Sequence, residues 1–316
     1  MTLKSLTSQV LLGVRRWIDS SAGAEAAELF HGPQRIDLVR SLPFLVLHLS
    51  CLAVIWVGWS WAAVSVALAL YLIRMFCITG FYHRYFSHRS FRTSRIGQFA
   101  LALLGATCVQ RGPLWWAAHH RLHHQRSDEE DDVHSPVQHG FLWSHIGWIT
   151  SKANFPTRLD VVPDLARYPE LHFLDRFDTL IPVGMIAAMG FLGGWLRVHF
   201  PGLGTSGPQM ICWGFCISTL VLFHASCTIN SLSHKMGKRR YATGDESRNS
   251  FLLALLTFGE GWHNNHHHYP GAVAQAHYWW EVDLTLYLLK TLSWMGLIWD
   301  LHPVPKRVRA HQLLSA

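Results

Sequence analysis

Residues 42–73 read LPFLVLHLSCLAVIWVGWSWAAVSVALALYLI, and this run contains no Lys, Arg, Asp or Glu. A transmembrane helix needs about 20 mainly apolar residues to cross a hydrocarbon core of about 30 Å. The run is therefore long enough for nearly two crossings, with a tight turn at residues 58–61. It predicts a hairpin of two membrane-spanning helices over about 42–59 and 61–81.

Two further apolar runs predict a second hairpin, with spans over about 180–198 and 210–230. The connecting segment HFPGLGTSGPQ is rich in Gly and Pro, as turns are. The sequence thus predicts an all-α integral membrane protein with four transmembrane helices in two hairpins. We expect one domain over residues 1–316, whose helical cytoplasmic cap is formed by residues 82–178 and 231–316 and holds a histidine-rich dimetal site.

Composition and charge agree with a membrane protein. Of the 316 residues, 50% are hydrophobic and only 15% are charged, whereas soluble domains carry about a quarter charged residues. The net charge of +7 is typical of Lys and Arg on the cytoplasmic side of a membrane, so we expect lipid contact and no nucleic-acid partner. The six cysteines form no CxxC pair, which indicates a reducing compartment rather than a disulfide framework.

Basic residues flank the predicted spans unequally. They cluster before the first span, after the second and after the fourth, whereas the two hairpin turns contain only Arg197. By the positive-inside rule, both termini and the whole cap should lie in the cytoplasm. We expect a multi-pass protein, in a bacterial inner membrane rather than the endoplasmic reticulum.

Histidines are concentrated in the cap, in HRYFSH (residues 83–88), HHRLHH (119–124) and HNNHHHYP (263–270), with NSLSH (230–234) between the last two. Helix positions i, i+3 and i+4 share one face. The second and third clusters each contain this pattern, and Asn230 and His234 are spaced i, i+4. The histidines selected by helical face are His120, His123, His124, His263, His266 and His267.

The first cluster does not follow the same spacing. His83 and His88 are five residues apart, about 140° on an ideal helix, so either the helix unwinds there or the two residues serve different metals. His119 and His268 lie about 100° off their clusters' faces and are predicted to be outside the site. The candidate metal-binding residues are nine histidines and one asparagine, enough for two metals: His83, His88, His120, His123, His124, Asn230, His234, His263, His266 and His267.

All-imidazole ligation suits Zn, Cu, Fe or Ni, so the spacing does not select the metal. A two-metal centre beside a membrane favours redox iron chemistry on an apolar substrate. A membrane di-iron hydroxylase of alkanes or sterols would share such a site. A metal transporter would need ionisable residues along its spans, and the third and fourth spans contain only His224.

The motifs resemble those of membrane fatty-acyl desaturases of the stearoyl-CoA (Δ9) type. CITGFYHRYFSHRSF is similar to that family's first histidine box, with Cys77 replacing Gly. DEEDDVHSP and GFLWSHIGW are similar to the stretch after its second box, and GEGWHNNHH to its third. The resemblance covers roughly residues 40–305. The four residues between the first-box histidines are typical of the Δ9 acyl-CoA group, whereas Δ12-type acyl-lipid enzymes more often have three.

The resemblance implies an acyl-CoA desaturase that introduces a cis double bond, at Δ9, into a saturated fatty acyl chain, with acyl-lipid desaturase as the alternative. It implies two iron ions bound by the ten residues above, with Asn230 acting through water, O2 as co-substrate and no bound organic cofactor. The expected electron donor is a separate ferredoxin, rubredoxin or cytochrome b5 type protein with an NAD(P)H reductase. The assignment of ligands to each iron stays open.

Other residues receive narrower predictions. Glu260 lies three residues before His263 and is expected to orient a metal ligand. The acidic run 128–132 is expected to be mainly a solvated face. An acyl tunnel along the second span would meet Tyr71 before Ala67. Four basic residues are candidates for contacts with phosphate or lipid headgroups: Arg158, Arg176, Lys238 and Arg239.

Overall fold

The computed structural model describes residues 3–21 and 32–310, which contain helices, turns and isolated bridges but no β-strand. Its helices are α1 (Leu3–Ile18), α2 (Leu38–Val57), α3 (Trp61–Ser87), α4 (Arg95–Ala106), α5 (Pro113–Arg126), α6 (Pro136–His139), α7 (Pro163–Ala166), α8 (Pro169–Arg176), α9 (Leu180–His199), α10 (Gly207–Leu232), α11 (Phe251–Leu256), α12 (His263–His268), α13 (Leu284–Trp294) and α14 (Lys306–Ala310).

Four of these helices, α2, α3, α9 and α10, are long and apolar enough to cross a membrane. The predicted all-α fold with two membrane hairpins is therefore confirmed. Polar side chains cap the N-termini of α2 and α3. Asp37 accepts from the Arg40 N–H, and Ser60 accepts from the Ala63 N–H. Gly58 occupies the turn between α2 and α3 with φ +65°, a conformation that glycine adopts without steric cost.

Helix α3 continues six residues beyond the predicted end of the second span. Its last part, Cys77–Ser87, is a π-helix in which every residue is buried, so α3 leaves the membrane region and enters the cap. There α4 packs closely on it: a Cβ on Gly105 would lie 2.1 Å from the ring of Tyr82. This contact requires glycine at position 105, and it fixes the side of α3 that faces the cap's core.

The membrane helices differ in how much of their surface the protein covers. In its apolar window α10 is 61% buried, whereas α2 is only 6% buried. Arg74 of α3 is buried and donates to the hydroxyls of Ser218 and Thr219 on α10 at 2.6 and 2.8 Å. The α3–α10 pair is thus the firmly joined part of the stem, and α2 is an outer wall.

Candidate metal centre

Five histidines from α5, α12 and the end of α3 point their imidazoles at one location, here called group one. Its members are His83, His88, His120, His124 and His266, and one nitrogen from each lies within 4.8 Å of the others. The Nε2 of His88 is 2.8 Å from that of His120 and 3.1 Å from that of His83. His266 Nε2 lies 2.9 Å from His124 Nε2 and 3.0 Å from His83 Nε2.

Four other histidines form group two, beside group one: His123, His234, His263 and His267. The Nε2 atoms of His234 and His263 are 3.1 Å apart. The ring centroids of His124 in group one and His267 in group two are only 4.4 Å apart. The nine histidines selected from the sequence therefore form two adjacent groups of five and four.

Helix geometry explains this division. On α5, His123 and His124 differ by about 100° around the helix axis, so His120 and His124 face group one while His123 faces group two. On α12, His263 and His267 are one turn apart and both belong to group two, whereas His266 belongs to group one. One helical face thus serves two neighbouring centres.

The π-helical end of α3 resolves the spacing of the first cluster. The His88 N–H bonds to the His83 carbonyl at 3.3 Å, five residues back, as in a π-helix. This wider turn places His83 and His88 one above the other, and both lie in group one. Of the two alternatives, unwinding of the helix is the one that the structure has.

Carboxylates hold three of the four group-two histidines. The Nδ1 atoms of His234, His123 and His267 lie 2.8 Å from Asp128, 2.9 Å from Asp132 and 2.5 Å from Asp245, respectively. A carboxylate at Nδ1 fixes the hydrogen there and leaves Nε2 free to bind a metal. Helical spacing does not predict Asp245, because it lies 22 residues before His267, in a loop.

The prediction of a solvated acidic run was wrong for its first and last members. Asp132 is buried, and Asp128 is mostly covered, by contact with the histidines, whereas residues 129–131 between them are exposed. The run makes a turn after α5, which brings its two ends inward. These ends contact His234 and His123, respectively.

In group one the carboxylate is Glu260, whose Oε2 lies 2.5 Å from His83 Nδ1. Its position follows from a turn that precedes α12, not from the face of that helix, which begins at His263. Arg84 is buried and bonds Glu260 at 3.1 Å and Asp283 at 2.9 Å. The guanidinium keeps Glu260 in place and neutralises its buried charge.

Burial favours the uncharged form of six of the nine imidazoles, whereas the pKa of the buried His123 is raised because its ring pairs with Asp132. Burial lowers the pKa values of His88, His120, His124, His263 and His266 well below the ordinary value. It also lowers the pKa of His267 to about 4, against the opposing effect of Asp245. Neutral imidazole is the form that ligates metals.

An apolar cavity of about 590 Å³ extends from the metal centre into the stem. His120, Trp116 and Asn230 line its inner end. Below them, the wall is formed by α2, α9 and one stripe of α10 whose members recur every three to four residues: Ile211, Phe215, Thr219, Phe223, Cys227 and Asn230.

This cavity does not coincide with the tunnel predicted along α3. Neither Ala67 nor Tyr71 lines the cavity. Tyr71 points to the other side of α3, where its hydroxyl donates to the Leu256 carbonyl at 2.7 Å, and Ala67 is buried in helix packing. The cavity lies between α2, α9 and α10 because α3 is packed too closely against its neighbours to leave a channel.

The four basic residues predicted at phosphate also lie away from the cavity. Arg158, Arg176 and Arg239 pair with Asp160, Asp19 and Glu246 at 2.7, 2.8 and 3.1 Å. Lys238 is exposed on the cap. The arginines that do line the cavity, Arg16, Arg40 and Arg111, were not singled out from the sequence, because their distance from the histidine motifs gives no indication of this contact.

Histidines outside the two groups have other partners. His268 stacks on Tyr241 and bonds the Val308 carbonyl at 3.0 Å. His119 is buried and packs against Trp115. His48, for which the sequence offered no partner, lies 3.1 Å from His224 of α10.

The residues of the two groups suit metal ions. The Nε2 of His267 and the Nδ1 of His263 are buried without a hydrogen-bond partner, a costly state for polar atoms. For His267 a cation at group two would remove that cost, because its Nδ1 already bonds Asp245. Nitrogen-only donors with neutral rings fit a first-row transition metal such as iron.

Comparison with known proteins decides the family. The fatty acid desaturase family model matches residues 59–292. This chain belongs to the fatty acid desaturase family. The matched region of the desaturase includes all nine histidines of groups one and two, as well as Glu260 and the three carboxylates of group two.

Individual relatives agree over most of their length. The chain is 38% identical over 268 residues to sn-1 stearoyl-lipid 9-desaturase of Anabaena variabilis, covering 83% of this chain and 93% of the relative. It is 35% identical over 270 residues to Delta-9 acyl-lipid desaturase 1 of Arabidopsis thaliana, covering 84% of each. It is 35% identical over 266 residues to icosanoyl-CoA 5-desaturase of Limnanthes douglasii, covering 83% and 71%. The protein is thus a membrane desaturase, an oxidoreductase with histidine clusters able to hold metal.

Proposed function

We propose that this desaturase uses two iron ions and O2 to introduce a cis double bond at Δ9 of a saturated fatty acyl chain. The observation that carries the proposal is the pair of imidazole groups at the inner end of an apolar cavity. The names of the relatives support a Δ9 position, since two of the three above are 9-desaturases. The 5-desaturase among them makes the double-bond position a matter for experiment.

Group one would hold one iron and group two the other, with Asn230 beside them acting through water. When bound, the iron ions supply the O2-dependent oxidation that removes hydrogen from an unactivated methylene. Glu260, Asp128, Asp132 and Asp245 fix the ring orientations and the tautomers of their histidines. Arg84 keeps Glu260 ionised within hydrogen-bond distance of His83.

The cavity would orient the acyl chain. Trp116 stacks on His120, with ring centroids 5.0 Å apart and an interplanar angle of 19°, so it forms a rigid wall next to group one. A chain lying along the α10 stripe has one region beside His120 and Asn230 and its methyl end deeper in the stem. Holding one carbon pair there accounts for selectivity among chemically similar methylenes.

Arginines in the upper part of the cavity would hold the substrate's carrier. Arg40 is 9% exposed and lies over the ring of Phe155 at 4.2 Å. Arg111 bonds Asp178 at 3.2 Å. Because the buried Arg40 and the half-buried Arg111 face one carboxylate here, the mouth retains positive charge and suits a phosphate. We propose a phosphate-bearing carrier, either CoA, as the first-box spacing predicts, or a glycerolipid.

The reaction consumes two electrons and two protons per double bond. We propose that the electrons come from a separate small redox protein of ferredoxin, rubredoxin or cytochrome b5 type. The cap and both termini would face the cytoplasm of a bacterial cell, because Lys and Arg flank the cap side of the spans. This side gives a soluble donor direct access to the cap.

Fatty-acid analysis of cells that express the protein tests the function. The expected product is a cis-Δ9 monounsaturated acyl chain, located by mass spectrometry of a derivative of the double bond. Supply of deuterated stearoyl-CoA to isolated membranes, followed by separation of CoA and lipid fractions, identifies the carrier by where the labelled product first occurs. A hydroxylated product without a double bond would contradict desaturation and support the hydroxylase alternative. His267→Ala provides an inactive control.

A further inference from the structure

Three histidines outside the metal centre form a continuous chain across three elements. His48 Nε2 on α2 is 3.1 Å from His224 Nε2 on α10. His224 Nδ1 is 3.0 Å from the Nε2 of His145, which lies in the short π-helix Trp143–Gly147 after α6. His145 Nδ1 is 2.8 Å from the Ser231 hydroxyl on α10. The chain therefore joins the outer wall α2 to α10 and α10 to the cap.

This chain lies at the seam between the cavity and the bilayer side of the stem. Phe44 and Phe223 line the cavity with their rings 5.0 Å apart. His48 and His224 contact these rings, but they do not line the cavity. The His48–His224 contact thus joins α2 to α10 on the side of the two phenylalanine rings that faces away from the cavity.

Helix α2 is held at both of its ends, and the seam lies between them. It is mostly exposed, with only 6% of its apolar window buried. At the cap end, Trp17 donates to the Val39 carbonyl at 3.0 Å and Arg40 to the Ser20 carbonyl at 3.3 Å. At the far end, Gln209 donates to the Val57 carbonyl at 3.0 Å and Trp213 to the Gly58 carbonyl at 2.9 Å. Among the contacts that the structure gives between described side chains of α2 and α10, His48–His224 is the one polar pair between these two ends.

The fixed ends of the chain determine where its hydrogens lie. His48 Nδ1 is 2.8 Å from the Phe44 carbonyl, which can only accept, so His48 carries its hydrogen there and Nε2 is bare. Ser231 donates to the Cys227 carbonyl at 2.9 Å, so His145 donates from Nδ1 to Ser231 and its Nε2 is bare as well. A neutral His224 has one N–H to give to these two acceptors.

The surroundings favour neutral rings. No described carboxylate or guanidinium is hydrogen-bonded to any of the three, and burial lowers the pKa of His145. The other titratable or charged groups on these elements have their own contacts: Cys51 donates to Leu47 O, His139 bonds Asp132 O, and Arg40 donates to Ser20 O. Cys227 is buried on α10.

We propose that the seam between α2 and α10 is the entrance by which the acyl chain of a membrane lipid reaches the cavity, and that His224 latches it. With its hydrogen on Nε2, His224 bonds His48 and the seam is shut. With its hydrogen on Nδ1, His224 bonds His145 and the seam contact is lost, at no change in the number of hydrogen bonds. The proposal rests on the proposed function, since it takes the cavity's ligand to be an acyl chain.

The two leucine substitutions should act differently. His48→Leu removes the acceptor at the seam, but His224 then bonds His145 whether the seam is open or shut, so the entrance opens about as readily as in the wild type. His145→Leu removes the competing acceptor, so His224 keeps its hydrogen on the seam side and the entrance opens less. His48→Gln provides an amide N–H to His224 Nε2, which fills both contacts and also closes the seam. One net hydrogen bond corresponds to about a fivefold change in rate.

The test uses the full protein in phosphatidylcholine nanodiscs, with a phosphatidylcholine that carries a nitroxide on its acyl chain. The rate at which the spin label becomes immobilised reports entry. We expect entry at about the wild-type rate in His48→Leu and about fivefold slower entry in His145→Leu and His48→Gln. His199→Gln is the matched control, because His199 is a membrane-helix histidine that bonds the Trp195 carbonyl outside the chain, and its rate should be that of the wild type.

Equal changes in both leucine variants, or an unchanged rate in His145→Leu, would overturn the latch, since loss of packing alone slows or speeds both alike. If a leucine variant does not bind iron, methionine is placed at the same position instead, and the entry rate is measured for that variant. Entry is read without turnover, so failure of desaturation by the wild type would contradict the proposed reaction and leave the entry result decisive. If the spin-labelled acyl chain is not immobilised by the wild type, the lipid entrance itself is refuted.

Discussion

Asp245→Asn isolates the contribution of one carboxylate to one metal position. Asp245 Oδ2 lies 2.5 Å from His267 Nδ1, while its Oδ1 accepts from the Ser247 N–H at 3.0 Å, the Ser247 hydroxyl at 2.5 Å and the Thr243 hydroxyl at 2.9 Å. In asparagine the single oxygen must remain with the Ser247 N–H. The amide N–H2 then faces His267 Nδ1 and moves the ring's hydrogen to Nε2, the atom that should bind metal.

The expected result is weaker metal binding at group two alone. Loss of such an outer carboxylate lowers metal affinity about 10–100-fold, or about 1.4–2.8 kcal/mol. We expect Asp245→Asn to retain about one iron per chain after dialysis against a chelator that leaves the wild type loaded, and to lose desaturation. Iron analysis and Mössbauer spectra of protein loaded with ⁵⁷Fe measure occupancy and show which of two environments remains.

Glu246→Gln is the matched control, because the neighbouring carboxylate pairs with Arg239 and Arg248 on the cap surface. It should keep wild-type iron and activity. If Asp245→Asn also keeps both at wild-type levels, the tautomer argument is refuted. Equal loss of both iron environments would show that Asp245 supports the cap's fold and not a particular metal.

Further predictions follow from the cavity and the histidine faces. Ile211→Trp places an indole in the cavity wall and should shift products toward shorter acyl chains, whereas Tyr71→Ala should leave the length profile unchanged in a mixed-substrate assay; a shift only in the latter would support a tunnel along α3 instead. Arg40→Gln should raise KM for the phosphate-bearing substrate about tenfold with little change in kcat, and an unchanged KM would remove Arg40 from carrier binding. His268→Ala should keep iron and activity while His267→Ala loses both, and the reverse pattern would contradict the facing assignment.

Local geometry made the histidine faces readable from the sequence. In α5 and α12 the ligand candidates are three or four residues apart, so the helix alone determines that they share a face. The same periodicity could not divide them between two centres, because His123 and His124 face different groups only after α3, α10 and α12 are in place. The hairpin spans were predictable for a similar reason, since hydrophobic length is a property of the segment itself.

Other features depend on contacts between distant segments. Asp128 is 106 residues from His234 along the chain, and no spacing rule connects them. The π-helix at the end of α3 allows His83 and His88 to meet, but no periodic pattern in its sequence predicts a π-helix there. The sequence does not place the cavity, because the depth of a residue along α3 does not reveal which neighbours pack against Tyr71. Helix packing, not the composition of one helix, decides where space remains.

The number and environment of the bound irons test the central claim most directly. The two imidazole groups, of five and four members, predict two iron ions per chain in distinguishable environments. Mössbauer spectroscopy of the wild type loaded with ⁵⁷Fe, together with iron analysis per chain, should show two components of equal weight, one of which is lost in His88→Ala and the other in His234→Ala. A single iron per chain, or two components that both disappear in each variant, would contradict the division into two metal positions.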